Sequence, residues 1–359
     1  MRVLITNRTL DERAGTETYT RDLALGLLRT GHLPVVFSTR LGEIAEEIRG
    51  AAIPVVDDLT LLAEPPDIIH GHHCVETLAA VTRFPGVPAL YVCHDASAWC
   101  DTPPRHPRIR RYVAVDEGCR ERVVAQVRLP IEECALIPNA VDLERFRPRP
   151  PLPQRPGRAL AFGNSLAPAE LGAIERACRA RGIVLERAGL RIGSALSAPE
   201  QALGGYDLVF AKGRCAIEAL AVGAAVVVCG PGGVASLVTS DSFDALRPLN
   251  FGRRSYRLGF DEESLGAQID RYDAADAGIV SRRARAVVGL DALTAALVEV
   301  YEAIAEEERA APASARAESD ALAANLAWLA RSFEESVRRE SRRRYRARVE
   351  QRRWSFRSH

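Results

Sequence analysis

Short apolar runs rich in Val and Ile alternate with amphipathic stretches along the first 145 residues. The stretch TETYTRDLALGLLRTGH (16–32) has the spacing of an amphipathic helix and ends at Gly31, a residue type that often closes helices. Short buried strands that alternate with helices predict a parallel sheet covered on both faces. The predicted strands of this part are 2–7, 34–39, 67–72, 89–94, 112–117 and 134–139.

The alternation stops at a proline-rich segment and then restarts. Residues 145–158 contain five prolines, which argue against a helix or a central strand and predict a linker. We therefore predict an α/β protein with two Rossmann-like parallel-sheet domains facing a central cleft, where such sheets bind ligands. The later predicted strands are 159–164, 183–189, 206–212 and 224–230. The predicted parts are an N-terminal domain (1–145), a linker (146–157), a C-terminal domain (158–310) and a helical basic tail (311–359).

The end of the chain combines an apolar stripe with a run of arginines. Residues 338–357 hold ten Arg and two Glu, a net charge of about +8. Two interpretations stay open: a solvated helix end or disordered arm, or a contact with an anionic membrane or a protein partner. The apolar positions recur every three or four residues, as in a helix, at Leu322, Leu326, Leu329, Phe333 and Val337.

Composition narrows the class of protein. The 359 residues are 47% apolar and 26% charged, with a net charge of +1, which suits two ordinary cores and predicts no nucleic-acid partner. The eight cysteines include no C-x-x-C pair, as expected for buried thiols in a reducing cytosol. The first 15 residues lack the apolar region of a signal peptide. We therefore expect a cytoplasmic protein, peripheral to the inner membrane face if the basic tail contacts lipid.

The sequence contains a single lysine, Lys212, among 48 basic residues. A biased base composition would explain why arginine replaces lysine almost everywhere. The one remaining lysine, Lys212, is then either kept for a function or left at this position by chance. Lys212 ends an apolar strand, Gly213 begins a turn, and a short helix with Glu218 follows. The alternative is an ordinary strand–turn–helix with a surface Lys and an exposed Glu.

This segment has the chemistry of a diphosphate site. Lys212 and Arg214 flank a helix N-terminus, and two cations with a helix dipole suit a diphosphate without metal. Glu218 can accept hydrogen bonds from both hydroxyls of a ribose. The following loop, GPGG (230–233), brings flexible backbone to the same edge.

Loops of the first half supply further candidates. Gly15 and Thr16 open the first helix, where free N–H groups attract anions, although a plain N-cap turn fits equally well. His94 ends a strand and can orient or deprotonate a hydroxyl, or serve as a structural histidine. HGHHC (70–74), which includes His72, has metal-binding side chains, but without an acidic or Cys partner at ligand spacing we predict hydrogen-bonding histidines and no metal.

In combination, these segments resemble the family-4 glycosyltransferases of the GT-B fold over about residues 1–305. LIPNAVDLERFRP (136–148) is similar to the family's "IPNGVD…F.P", with Ala140 in place of glycine. GRCAIEALAVGAAVVVCGPGGVASLV (213–238) is similar to its donor-site region. AGTETYTRDLALGLLRTGH (14–32), DIIHGHH (67–73) and YVCHD (91–95) complete the resemblance.

The resemblance implies an acceptor site in the first domain and a nucleotide-diphosphate-sugar site in the second, with transfer that usually retains the anomeric configuration. The sugar nucleotide is a co-substrate, and no cofactor is implied. Acceptors of this fold include glycans, lipids, small molecules and proteins. The implied positions are Glu218 at the ribose, Gly232 and Gly233 near the sugar and phosphates, Gly15 at the helix opening and His94 near the sugar.

Two positions depart from the family pattern. Phe210 stands eight residues before Glu218, where the family has a first glutamate, and AFGNSLAPAE (161–170) lacks the family's Arg and Lys. We expect Lys212 and Arg214 to supply that charge, with Asn164 close to the donor phosphates. The alternatives are an inactive glycosyltransferase-like scaffold and an epimerase on the same fold.

Overall fold

A computed structural model describes residues 1–190 and 196–355, except for the side chains of 336 and 339–355. The first domain contains one parallel sheet of seven strands in the order β3-β2-β1-β4-β5-β6-β7. The strands are β1 (Arg2–Thr6), β2 (Leu33–Phe37), β3 (Val55–Val56), β4 (Ile68–His72), β5 (Ala89–Cys93), β6 (Ile109–Ala114) and β7 (Cys134–Leu136). Strands β4 and β5 are buried along their whole length, because helices cover both faces of the sheet.

The second domain contains a five-stranded sheet in the order β12-β11-β10-β8-β9. Its strands are β8 (Arg158–Phe162), β9 (Val184–Ala188), β10 (Leu208–Ala211), β11 (Ala225–Gly230) and β12 (Gly233–Leu237). The predicted α/β class with two parallel-sheet domains is confirmed. The antiparallel strand β12 was not predicted, because it depends on a tight hairpin at Gly232, whose φ is 101°.

The helices of the first domain are α1 (Gly15–Arg29), α2 (Glu43–Gly50), α3 (Cys74–Arg83) and α4 (Glu117–Val123). Those of the second are α5 (Pro168–Arg179), α6 (Pro199–Ala202), α7 (Gly213–Val222), α8 (Phe243–Leu246), α9 (Glu262–Ile269) and α10 (Ala274–Val287). Two helices follow, α11 (Leu290–Ala310) and α12 (Ala315–Ser355). Gly223 closes α7 in the left-handed conformation, with φ 100°, as its sequence position predicts.

Helix α11 returns to the first domain. Its buried side chains Leu293, Leu297 and Tyr301 lie in the core of the first sheet. The chain crosses between the domains beside the linker, where the amide of Leu290 donates to the carbonyl of Val141 at 3.0 Å. The sequence placed this helix at the end of the second domain (158–310); in the structure its apolar stripe is buried against the first, a choice that local periodicity cannot make.

Seven of the eight cysteine thiols are buried, and Cys215 is partly exposed. Among the described residues, no helix has both the length and the apolar character needed to cross a bilayer.

Candidate functional site

The two domains meet where α1 of the first faces α7 of the second. Asn164, which follows β8, donates through Nδ2 to the carbonyl of Arg13 across the boundary at 3.0 Å. A cavity of about 90 Å³ lies between the domains at this point. Its lining joins the predicted donor and acceptor residues Gly15, Asn164, Arg214 and Glu218 with further residues such as Cys215.

Arg214 occupies the centre of this boundary. Its Nε donates to Oε1 of Glu218, one helical turn further along α7, at 2.9 Å. Its Nη2 forms an ion pair with Oδ2 of Asp22, which belongs to α1 of the other domain. The side chains of Arg214, Glu218 and Asp22 are 8%, 8% and 2% exposed. The guanidinium predicted to bind a diphosphate is thus held, in this state, by two buried carboxylates.

Further charges extend the ion pair around Asp22. Arg21 contacts Asp22 at 2.7 Å and Glu47 at 2.8 Å. Arg145, at the start of the proline-rich segment, contacts Asp22 at 3.5 Å and Glu200 at 2.9 Å. No sequence signal indicates this network, because its residues come from α1, α2, α6, α7 and the proline-rich segment, which are far apart in the chain.

The electrostatics of the network follow from burial. Burial alone would raise the pKa of Asp22, but the guanidiniums of Arg214 and Arg21 outweigh it and hold that pKa below its usual value. The pKa of Glu218 is raised, because burial outweighs the attraction of Arg214. Asp22 therefore stays ionised with Arg214, whereas Glu218 is the more readily neutralised partner.

Lys212 lies apart from this network. It is the N-cap residue of α7 and is exposed, and its side chain runs alongside Gly230 at the end of β11. A Cβ added at Gly230 would lie 3.0 Å from the Lys212 Cδ and 2.5 Å from the Tyr256 hydroxyl. Gly230 therefore makes room for the lysine stem, and Lys212 is exposed and does not belong to the residues that line the cavity.

Gly213 and the glycine hairpin shape the same edge. Gly213 has φ 55°, and its amide donates to the carbonyl of Phe251 at 3.0 Å. Gly232 and Gly233 form the turn from β11 into β12, and the guanidinium of Arg253 lies next to Gly232. The Arg253 guanidinium therefore lies at this turn, and Lys212 lies at Gly230, the last residue of β11 before the turn.

Three histidines lie beneath the α1 side of the boundary. His70 and His72 are completely buried, and their Nε2 atoms are 2.8 Å apart. Nδ1 of His70 is 2.6 Å from the Tyr301 hydroxyl, and Nδ1 of His72 is 3.2 Å from the Thr20 hydroxyl. If Tyr301 donates to His70, His70 to His72, and His72 to Thr20, two neutral rings satisfy every contact. Both His72 nitrogens are thus engaged by protein groups.

His94 is the third histidine. Its ring packs edge-on against His72 and Tyr19, with centroid distances of 4.7 and 4.8 Å. Burial, and then the nearby His73 and His70, lower its pKa well below the usual value, so the imidazole is neutral at physiological pH. Among the described residues its buried Nε2 has no hydrogen-bond partner. A neutral His94 can therefore still accept or donate one hydrogen bond.

Gly15 and Thr16 form the first turn of α1, one turn before Tyr19. The N-cap residue is Ala14, whose side chain cannot cap the helix. Gly15 is exposed, and a Cβ added there would meet no atom within 4 Å. Thr16 donates to Glu17 at 3.0 Å. The helix start is open toward the cavity.

A possible metal-binding group of three side chains lies beside these histidines. The ligating atoms of His73, Cys100 and Asp101 lie within 4.8 Å of one another, and all three residues are buried. The amide of Arg8 donates to Nδ1 of His73 at 3.1 Å, so a neutral His73 carries its proton on Nε2. Ligation through Nε2 would require loss of that hydrogen bond.

Phe210 lies where the family's first glutamate would fall. It is completely buried in the middle of β10, in the core that α5 and α9 share with the sheet. A carboxylate there would be buried among apolar side chains. The segment after β8 contributes Asn164 to the boundary, as described above, and none of the family's paired cations.

Comparison with known proteins agrees with this geometry. The family model of Glycosyltransferase Family 4 matches residues 13–145. A glycosyltransferase from Rickettsia africae ESF-5 is similar in structure, with a TM-score of 0.60, 14% identity, and coverage of 84% of this chain and 98% of that chain. HepE from Anabaena, solved with UDP and glucose, is similar with a TM-score of 0.60 and 14% identity. The match covers 84% of this chain and 100% of HepE. Sucrose-phosphate synthase from Thermosynechococcus elongatus is similar with a TM-score of 0.51 and 13% identity. The match covers 84% of this chain and 98% of that enzyme.

The two parallel-sheet domains and the cleft between them therefore have the GT-B fold. The Glycosyltransferase Family 4 model matches residues 13–145, in agreement with the resemblance that the sequence motifs indicated. Comparison with the sequences of curated proteins gives no significant match.

Proposed function

We propose that this protein transfers a sugar from a nucleotide-diphosphate sugar to an acceptor hydroxyl. One observation carries the proposal: Glu218 of the second domain and Gly15 of the first line the same cavity between the two sheets. Ligands of open α/β sheets bind at the carboxyl ends of strands, and two such edges meet here. HepE, a neighbour in fold, was solved with UDP and glucose, which supports a nucleotide sugar as donor.

In this proposal Glu218 binds the ribose. Lys212, the amides of Arg214 and Cys215 at the start of α7 and the helix dipole stabilise the leaving diphosphate, with Asn164 and the turn at Gly232 and Gly233 alongside. We propose that these cations do this without a metal and that the sugar keeps its anomeric configuration. Arg214 joins the diphosphate only after it leaves its carboxylates.

On the acceptor side, Gly15 and Thr16 form the rim and His94 provides the inner contact. The neutral His94 ring orients the attacking hydroxyl through its unengaged Nε2. His72 holds the His94 ring from below through its edge-on contact. Because the cysteines of the chain are free thiols, a reducing compartment is favoured, and we propose the cytoplasm as the place of action.

The domains must separate before the donor enters. Sites for ligands of this size generally have volumes of roughly 300–1,000 Å³, whereas the cavity between the domains has about 90 Å³. Opening breaks the ion pair between Arg214 and Asp22, because these residues belong to different domains. The structure thus corresponds to a closed arrangement of the two domains.

Nucleotide-dependent thermal stability tests the proposal. A nucleoside diphosphate or its sugar, at about a hundred times its dissociation constant, adds about 2.7 kcal/mol to the free energy of unfolding. We expect one nucleotide of a panel to stabilise the wild type, and Lys212→Ala to remove that stabilisation. Arg181→Ala is the matched control, since Arg181 pairs with Asp270 on an exposed surface. Equal nucleotide affinity in both variants contradicts the role of Lys212.

The second candidate function is a glycosyltransferase-like binding protein without turnover. The observation that favours it is Arg214, which neutralises Glu218 and joins the domains through buried ion pairs. Absence of stabilisation by every nucleotide and sugar nucleotide would favour this candidate. Sugar released without an acceptor would instead indicate an epimerase-like enzyme.

A further inference from the structure

The first turns of α12 are fixed to the first domain. Glu318 forms an ion pair with Nε of the buried Arg108 at 2.9 Å. Asn325 donates through Nδ2 to the carbonyl of Arg105 at 2.8 Å, and Leu329 packs against the first core. Arg105 and Arg108 precede β6, so α12 attaches at the amino ends of the strands, the end of the sheet opposite the cleft.

Large apolar side chains of α12 are exposed to solvent. Leu326 is 56% exposed, Phe333 72% and Val337 48%. Spacings of seven and four place them on one face of the helix. Phe333 is the most exposed of the large apolar residues in the described part of the chain. An apolar stripe of this kind favours a partner that buries it.

The charge that follows the stripe indicates the kind of partner. Residues 338–357 contain ten Arg and two Glu, with Tyr345, Trp354 and Phe356 among them. Basic residues next to an apolar stripe are typical of helices that lie in the surface of an anionic bilayer. Tyr and Trp favour the same headgroup region. A nucleic-acid backbone would pair with the arginines but would leave the apolar face of Leu326, Phe333 and Val337 exposed.

We propose that α12, through Leu326, Phe333, Val337 and the basic run 338–357, docks the protein on an anionic lipid bilayer. The described contacts of α12 are with the residues before β6 and with the first core, and none of the described residues that line the interdomain cavity belongs to α12. Docking therefore does not depend on the proposed transfer reaction, and nucleotide binding is expected to survive its loss.

Vesicle co-sedimentation of the full-length protein tests this proposal. We expect pelleting with phosphatidylcholine–phosphatidylglycerol vesicles, little pelleting with phosphatidylcholine alone, and release by high salt. Replacement of Arg339, Arg342, Arg343 and Arg346 by Gln should weaken partitioning by roughly tenfold or more, since each arginine near such a surface contributes to binding. Phe333→Ser should weaken it several-fold through lost apolar burial.

Leu61→Ser is the matched control, because Leu61 is 65% exposed on the first domain and far from α12 in sequence. It should pellet like the wild type, and every variant should keep the wild-type melting temperature. Equal pelleting of the wild type and both α12 variants overturns the proposal. So does binding to duplex nucleic acid that depends on the arginines and not on Phe333, since it would assign the basic run to a different partner.

Discussion

Asp22→Ala is expected to lower the free energy of unfolding by about 3–5 kcal/mol, the usual cost of leaving a buried charge without its partner. Asp22 is 2% exposed and contacts Arg214 and Arg21. Its removal leaves both guanidiniums in a region from which water is largely excluded. Of the described residues, Glu218 and Glu47 then remain to balance them. Chemical denaturation followed by fluorescence or circular dichroism measures the loss.

The control for this prediction is Asp270→Ala. Asp270 pairs with Arg181 at 2.6 Å, but its side chain is 61% exposed. Exposed ion pairs contribute about 0–1 kcal/mol, so this variant should stay close to the wild type. If both variants lost a similar amount of unfolding free energy, burial would not determine how much the ion pairs of Asp22 stabilise the protein. Loss of a single cooperative transition in Asp22→Ala alone would show in addition that the pair couples the domains.

Stability is expected to fall steeply as the pH drops from about 6.5 toward 4. Burial lowers the pKa of His70 to about 3 and that of His73 to about 4, and holds that of His72 well below its usual value. The unfolded chain binds protons at these histidines near pH 6.5, while the folded chain excludes them. The contribution of these histidines to stability is therefore fully present above pH 6.5. It is lost as the pH falls from the pKa of the unfolded chain, about 6.5, toward the lower pKa values of the folded chain.

His70 alone accounts for about 3 kcal/mol at pH 4, at about 1.4 kcal/mol for each pH unit below its unfolded pKa. Asp101 acts in the opposite direction, since burial raises its pKa to about 7 and its protonation below that value favours the folded state. Three buried histidines outweigh this single carboxyl. Thermal melts between pH 8 and pH 4 measure the net slope.

His70→Gln separates titration from packing. We expect it to lower stability at pH 8, because the contacts of His70 with Tyr301 and His72 are lost, and to flatten the decline below pH 6.5. His32→Gln is the control, since His32 is half-buried and lies outside this cluster, so most of the decline should remain in that variant. An unchanged slope in His70→Gln would contradict the assignment of the decline to this cluster.

The Asp22–Arg214 pair also bears on the proposed function. In the closed state Arg214 neutralises the carboxylate of Glu218 that we propose for the ribose. A donor must then compete with Arg214 for Glu218, or release Arg214 toward its diphosphate. Either route links donor binding to separation of the domains, because Asp22 holds the same guanidinium from the other side.

The sequence by itself determined the α/β class, the two sheets, the proline-rich break and the family resemblance. These features follow from local signals: apolar runs of strand length, Pro and Gly positions, and motifs such as EALAVGAAVVV. The strands predicted at 2–7, 89–94 and 206–212 correspond to β1, β5 and β10 with small differences at their ends. A buried parallel strand can be recognised in the sequence because both of its faces are apolar, which gives a continuous apolar run.

Only the tertiary structure decided the partners of the polar residues. Lys212 and Arg214, two positions apart, were predicted as one cationic pair, yet the structure leaves Lys212 exposed and pairs Arg214 with Asp22, 192 positions away. It also placed α11 on the first domain and the His72 ring in a buried hydrogen-bond chain. The physical reason is that an apolar stripe shows that one face of a helix is buried but does not show which element covers that face. The partner of a charge is likewise set by contacts between distant parts of the chain, which local patterns do not encode.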